Sequence, residues 1–250
     1  MKIEGCIALV TGANRGLGKA YVDALFAMGA AKVYAGARDP ASVTDKRAIP
    51  VKLDVTSPAD VALAATEHCR DITLLINNAG IMLASSMLQP QSEDAMRQEF
   101  EVNVFGMQRM IRAFAPVLAR NGGGAIANML SVVSWFVNPI NATYGASKHA
   151  ALAVSDAARM ELRAQGTHVV GVYAGYIDTD MVGGLDVKKT TPQQVAVRTL
   201  EGVEAGADHV RADDRADTIW HATRNHPAQL EEQMKDVWDK LQVERARRNS

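Results

Sequence analysis

The sequence predicts an α/β fold, a doubly wound parallel sheet of about seven strands with helices on both faces. Three observations carry that expectation. Short apolar runs alternate along the chain with longer segments of helical periodicity. The runs are apolar at nearly every position instead of every second one, as strands are when helices cover both faces of a sheet. The first run passes through a glycine-rich turn straight into a helical pattern, Thr11-Gly12-Ala13-Asn14-Arg15-Gly16-Leu17-Gly18.

Taken in order, the apolar run Ile7–Val10 reads as the first strand, and the helix after it spans Arg15–Met28 and stops at Gly29. Lys32–Ala37 and Ile49–Leu53 read as the next strands, and Pro58–Cys69 as a helix. Thr73–Asn77 is a strand that runs into the amide-rich turn Asn77-Asn78-Ala79-Gly80. Gln89-Pro90-Gln91-Ser92 then turns into a long helix over Ser92–Arg120, with Ser92 a fitting cap, Asp94 favourable near the start, and a kink or break expected near Pro116. Strands follow at Ala125–Leu130, His168–Tyr173 and His209–Ala212, separated by helices at Tyr144–Gln165 and Pro192–Ala205. No repeat and no break in composition marks a second domain, so residues 1–250 read as one, with 224–250 as a C-terminal helical extension. In that extension Pro227 suits a first helical turn, and Leu230, Met234, Val237, Trp238 and Leu241 recur at helical spacing. Docking of this stripe on its own subunit is the favoured reading, and an interface between subunits is the other.

Glycines between a strand and a helix let the backbone approach a phosphate where unpaired N–H groups and the helix dipole favour negative charge. The turn at Gly12, Gly16 and Gly18 looks like a dinucleotide site of the Rossmann type, although its spacing is Gly-x-x-x-Gly-x-Gly, not Gly-x-Gly-x-x-Gly. Taken alone it reads equally well as a plain tight turn. In a second motif, Tyr144 and Lys148 lie four residues apart and share one helix face. An ammonium one turn from a phenol favours the phenolate, so the pair is expected to act as a general acid/base with a lowered tyrosine pKa. Ser131 lies thirteen residues before Tyr144, and Val102-Asn103-Val104 sets one amide in an apolar helix.

With these motifs in this order, the chain from about Gly5 to Ala212 resembles the short-chain dehydrogenase/reductase family, in its compact branch. The resemblance implies that Ser131 and Tyr144 hydrogen-bond a substrate oxygen while a hydride passes between nicotinamide and carbon. It also implies that Lys148 holds the nicotinamide ribose and that Asn103 positions a water linking Lys148 to solvent. Gly12, Asn14, Arg15, Gly16, Leu17, Gly18, Asn78, Ala79 and Gly80 would hold the cofactor, with Asp54 and Val55 at its adenine. Gly175, Ile177 and Thr179 would meet its nicotinamide amide and phosphates. One departure is Ala174, where the family usually has proline before the glycine, so the turn Tyr173-Ala174-Gly175 is expected to be looser.

Cofactor choice follows from Ala35-Gly36-Ala37-Arg38. A carboxylate at the strand end would bind the ribose of NAD, but that position here is Ala37, whereas the guanidinium of Arg38 suits a phosphate and Arg15 adds a second charge. NADP(H) is expected, with NAD(H) a weaker alternative because Asp39 follows. Trp135, Phe136, Ile140 and Tyr176 are expected to form the substrate wall, while Val137 reads as core. With the short glycine-containing stretch Met181–Thr190 as an open lid, this points to a bulky apolar ketone, aldehyde or alcohol. A steroid or acyl-thioester reductase is the rival enzyme, and a cofactor-sensing protein without turnover the rival outside catalysis.

The balance of 27 basic and 28 acidic residues gives no global charge directed at nucleic acid or an anionic membrane. No metal site is expected. Cys6 and Cys69 are too few for a disulfide framework and are expected to be reduced, and no apolar run reaches the length of a membrane span. A cytoplasmic protein is the expectation. Met96, Phe100, Phe105 and Met110 on one helix, and Ala150, Ala151, Val154 and Ala158 on the other, extend beyond one narrow apolar stripe, and the resemblance implies pairing through these two helices into a homodimer or homotetramer.

Overall fold

The structure is a computed structural model that describes residues 1–184 and 186–248; Leu185 of the expected lid and the last two residues of the extension lie outside the described residues. Seven strands, β1 (Ile7–Thr11), β2 (Lys32–Ala37), β3 (Ile49–Lys52), β4 (Leu74–Asn77), β5 (Gly124–Met129), β6 (Thr167–Tyr173) and β7 (His209–Arg211), form one sheet in the order β3-β2-β1-β4-β5-β6-β7. Every pairing is parallel. Strand order reverses between β1 and β4, and in such sheets the crevice beyond the carboxyl ends of those strands is where ligands bind.

Alternate strand residues point to opposite faces, and here both faces are dry. Ala8, Val10, Leu74, Ile76, Ala125, Ala127, Val170 and Val172 face α1 (Gly16–Ala27) and α6 (Pro192–Ala205). Their neighbours Leu9, Leu75, Ile126, Val169 and Tyr173 face the other way, into a core shared with Met110, Phe114 and Leu118. Each fully buried side chain of this size contributes about 1.5–3 kcal/mol, which explains why the apolar runs predict the strands to within a residue.

The helices depart from expectation in instructive places. The long helix over Ser92–Arg120 is continuous past Pro116 and is interrupted instead by a π turn at Glu101–Gly106, between α3 (Ser92–Phe100) and α4 (Met107–Arg120). The segment Pro58–Cys69 likewise divides into α2 (Pro58–Leu63) and a π turn, Ala64–His68. α5 spans Ala142–Leu162 and ends through a 3₁₀ turn at Gly166, whose φ is +77°.

An unexpected helix, α7 (Asp214–Asn225), fills the gap before α8 (Pro227–Arg248). α8 packs on α7 and on the turn Pro139–Asn141. Leu230 is buried in the chain's own core, and Met234, Val237, Trp238 and Leu241 are half-buried. Of the residues expected to pair subunits, Met110, Ala151 and Ala158 belong to that same core, because they lie on the sheet-facing side of their helices. Met96, Phe100 and Phe105 instead line a shallow apolar hollow on the surface.

Candidate active site

The turn after β1 is a cradle that only small residues permit. Gly12 and Gly16 hold φ values of +65° and +52°. A Cβ on Gly18 would lie 2.0 Å from the Gly12 carbonyl oxygen, so the first turn of α1 sits directly against the loop. No side chain caps the N-terminus of α1, whereas Ser57, Thr191 and Asp213 cap α2, α6 and α7. Its first N–H groups therefore stay available to an anion, the arrangement that binds a pyrophosphate.

The cradle opens into a cleft of ≈ 600 Å³ at the reversal of strand order, within the range of cofactor sites. Gly12, Asn14, Arg15, Gly16, Leu17, Gly18, Arg38, Asp54, Val55, Asn78, Ala79, Gly80, Gly175, Ile177 and Thr179 all line it, so the residues present fit a dinucleotide. Arg38 has no ion-pair partner among the described residues, while Asp39 is occupied in capping the Ala41 N–H at 3.0 Å. Arg15 is paired with Asp180 at 2.8 Å; both side chains are exposed, so the bond contributes at most about 1 kcal/mol.

Ser131, Tyr144 and Lys148 converge on the same cleft. Ser131 begins a tight turn in which its Oγ accepts from the Val133 N–H, and its own N–H donates to Ser134 Oγ at 3.3 Å. That bond turns Ser134 inward, away from the cleft lining. Lys148 is buried, with Nζ donating to the Met129 carbonyl at 2.9 Å and standing 5.7 Å from the Tyr144 ring centroid. Burial pulls its ammonium down from 10.5 to about 8. Burial likewise pushes the Tyr144 phenol up, outweighing a hydrogen bond from Ser131, and the charge of Glu99 adds to the rise. The tyrosine pKa is thus raised where a lowering by Lys148 was expected, because desolvation acts on both partners.

Asn103 does not line the cleft. Its Oδ1 accepts from the Ile81 N–H at 2.9 Å, while Nδ2 donates to the Ile81 carbonyl at 2.9 Å and to Ser147 Oγ at 3.0 Å. It thereby ties the wall after β4 to α5, with Oδ1 3.1 Å from where a Gly80 Cβ would stand. Glu99, one turn earlier, was not singled out from the sequence. It is fully buried, and Oε1 accepts from Leu83 N–H at 2.7 Å and Ala84 N–H at 3.2 Å, holding Ala84 at a φ of +56°. A non-glycine residue there costs about 1–2 kcal/mol. An acid within an apolar helical register, one turn before Asn103, was the available signal.

Two expected substrate residues are placed elsewhere. Trp135 stacks on Tyr173 at 4.1 Å and meets Trp220 edge-on at 4.9 Å, so it anchors α7 behind the cleft. Ile140 is 38% exposed on a turn outside the lining, and Val137 is exposed as well, not core, because that segment runs along the surface. Phe136 and Tyr176 do line the cleft, joined by Ile81 and Met82. The Ala174-Gly175 turn is tightly held despite lacking a proline. The Ala174 carbonyl accepts from the Val132 N–H at 3.1 Å, and the Gly175 N–H donates to Asp213 Oδ2 at 2.8 Å. Asp213 was also missed, and its place as the first polar residue after the last strand was the signal.

Among the described residues no cluster of histidine, cysteine, aspartate and glutamate could hold a metal ion, and no helix is long and apolar enough to cross a membrane. The chain matches the short chain dehydrogenase family over residues 6–190. It is 41% identical to a short chain dehydrogenase from Burkholderia cenocepacia J2315 whose crystal structure is a complex with NADP, covering 94% of this chain and 99% of that one with a TM-score of 0.90. It is 34% identical to the 1-deoxy-11-beta-hydroxypentalenate dehydrogenase of Streptomyces exfoliatus, over 95% of this chain and 90% of that protein. A short chain dehydrogenase of Aspergillus terreus is 30% identical over 80% of this chain, which spans 47% of that longer protein.

Proposed function

The chain belongs to the short-chain dehydrogenase/reductase family, and from that premise we propose that it is an NADP(H)-dependent oxidoreductase that reduces a ketone or aldehyde reversibly to an alcohol. The observation that carries this reading is the convergence of Ser131, Tyr144 and Lys148 on the cleft that begins at the glycine cradle. When bound in its reduced form at the glycine cradle, the dinucleotide would supply the hydride. Tyr144 gives its proton to the substrate oxygen, and its raised pKa keeps that proton in place at neutrality. Ser131 donates a hydrogen bond to the same oxygen and stabilises the charge that develops there. Lys148 would hold the nicotinamide ribose, and Asn103 acts by fixing the wall beside it.

Arg38, a cation without an acidic partner at the end of β2, supports NADP(H) over NAD(H), as does the NADP complex of the Burkholderia relative. Phe136, Tyr176, Ile81 and Met82 support a bulky, largely apolar substrate. The exposed Phe105 and the hollow beside it support pairing into a homodimer or homotetramer. Cys6 and Cys69 are free and buried, which is consistent with a cytoplasmic setting. Following NADPH absorbance over a panel of ketones, aldehydes and acyl thioesters tests the activity. Tyr144→Phe should cost about 10²-fold or more while NADPH still binds; near wild-type turnover in that variant would overturn the assignment.

A further inference from the structure

Arg215, in the first turn of α7, was not singled out from the sequence, yet it lines the cleft. Its stem lies against the turn after β6, where a Cβ on Gly175 would stand 2.4 Å from Arg215 Cδ, so glycine makes room for the arginine. Its guanidinium lies 4.9 Å from the Tyr176 ring centroid. Such a contact orients the cation and leaves its N–H groups free to bond a ligand.

Four acids of the flanking segments are engaged elsewhere. Asp213 accepts from the Gly175 and Ala216 N–H groups, Asp214 pairs with Lys188 and Arg198, Asp178 with Lys189, and Asp180 with Arg15. Among the described residues Arg215 has no carboxylate partner. Four strand spacings separate β6 from β2, which carries Arg38, and at about 4.8 Å each this amounts to roughly 19 Å. One cation cannot share the other's phosphate. Arg215 stands at the chemical end, since the Ala174 carbonyl beside Gly175 is bonded to the residue after Ser131.

Arg215 is exposed to solvent in the open cleft, and a wholly apolar substrate laid against it would cover its water and offer no bond in return. We propose that the cleft takes carbonyl or alcohol substrates with an apolar body and a terminal carboxylate, and that Arg215 binds the carboxylate. Phe136 and Tyr176 hold the body. A planar guanidinium matches a carboxylate with two parallel hydrogen bonds, which sets both affinity and orientation. This rests on the oxidoreductase reading above and narrows its substrate class.

The test compares benzoylpropionate, benzoylbutyrate and benzoylvalerate with their methyl esters, in wild type, Arg215→Met and Arg215→Lys. Methionine keeps much of the stem and removes the charge; lysine keeps the charge and removes the fork. Wild type should prefer at least one acid over its ester in kcat/KM, and in Arg215→Met that ratio should fall about tenfold or more, with lysine between the two. Calorimetric titration of the same acids and esters into NADP⁺-loaded protein reads carboxylate recognition without turnover. A protein that binds acid over ester but reduces neither would refute the oxidoreductase reading alone. Equal handling of acid and ester by wild type, or equal losses for both in Arg215→Met, overturns the carboxylate site. A parallel weakening of NADPH binding in Arg215→Met overturns it too, because the cation would then serve the cofactor's phosphates.

Discussion

Raising the pH above about 8 should weaken NADPH binding, through one buried lysine. Lys148 is 5% exposed and donates to the Met129 carbonyl, and its burial pulls the ammonium from 10.5 down to about 8. An anionic dinucleotide beside it favours the charged form. Below pH 8 the free protein already carries the charge, so affinity should be flat. Above pH 8 the complex must take up a proton that the free protein has lost, and Kd should rise about tenfold per pH unit until the bound-state pKa is reached. If binding restores the ordinary value, the loss totals about 3 kcal/mol, a few hundredfold in Kd. Tyr144 does not confuse the window, since its pKa is pushed up, nor do the buried thiols of Cys6 and Cys69, raised to about 11 and about 12. Fluorescence titrations of NADPH between pH 7 and 10, in wild type and Lys148→Met, measure the slope. The same shift has the opposite sign for folding of the free protein. The unfolded chain keeps the proton that the native state releases, so stability should rise between about pH 8 and 10.5 in wild type relative to the variant. A flat Kd, or an identical slope in both proteins, would refute the reasoning.

Gly18→Ala should abolish detectable NADPH binding and lower the melting temperature, because its methyl would stand 2.0 Å from the Gly12 carbonyl oxygen; an isothermal titration matching wild type would contradict it. The pair Ala37→Asp and Arg38→Ile should move the ratio of kcat/KM for NADPH over NADH down by about tenfold or more, since a charged hydrogen bond to phosphate is worth roughly 1.5–3 kcal/mol. A wild type that already prefers NADH would sink the NADP reading. Light scattering at micromolar concentration should show a dimer or tetramer, and Phe105→Arg, at a side chain that is 50% exposed, should shift it toward monomer; a wild-type protein that is wholly monomeric refutes the pairing.

The sheet was legible because parallel strands covered on both faces need unbroken apolar runs, as in Leu74-Leu75-Ile76. α7 was not, because its first turns are polar and it buries little beyond Ala216 and Ile219, leaving a faint period. The one-turn spacing of Tyr144 and Lys148 could be read directly. Their electrostatic balance could not, since it depends on how deeply α5 sinks into the protein. Trp135 illustrates a third kind of miss. Its aromatic side chain suits an apolar cleft wall, yet in a tight turn neighbouring side chains leave in different directions, and only the stack with Tyr173 and Trp220 shows which one.

The bond from Gly175 to Asp213 has a consequence for how the molecule is made. A ribosome delivers Ser131, Tyr144 and Lys148 well before the carboxylate that braces the turn beside them, and the nascent chain folds as it emerges. A polypeptide halted short of Asp213 would carry the full set of reactive groups and lack the brace. The brace is thus among the later parts of the site to be made, and a product terminated before Asp213 should hold the Gly175 turn less firmly even where its sheet has formed.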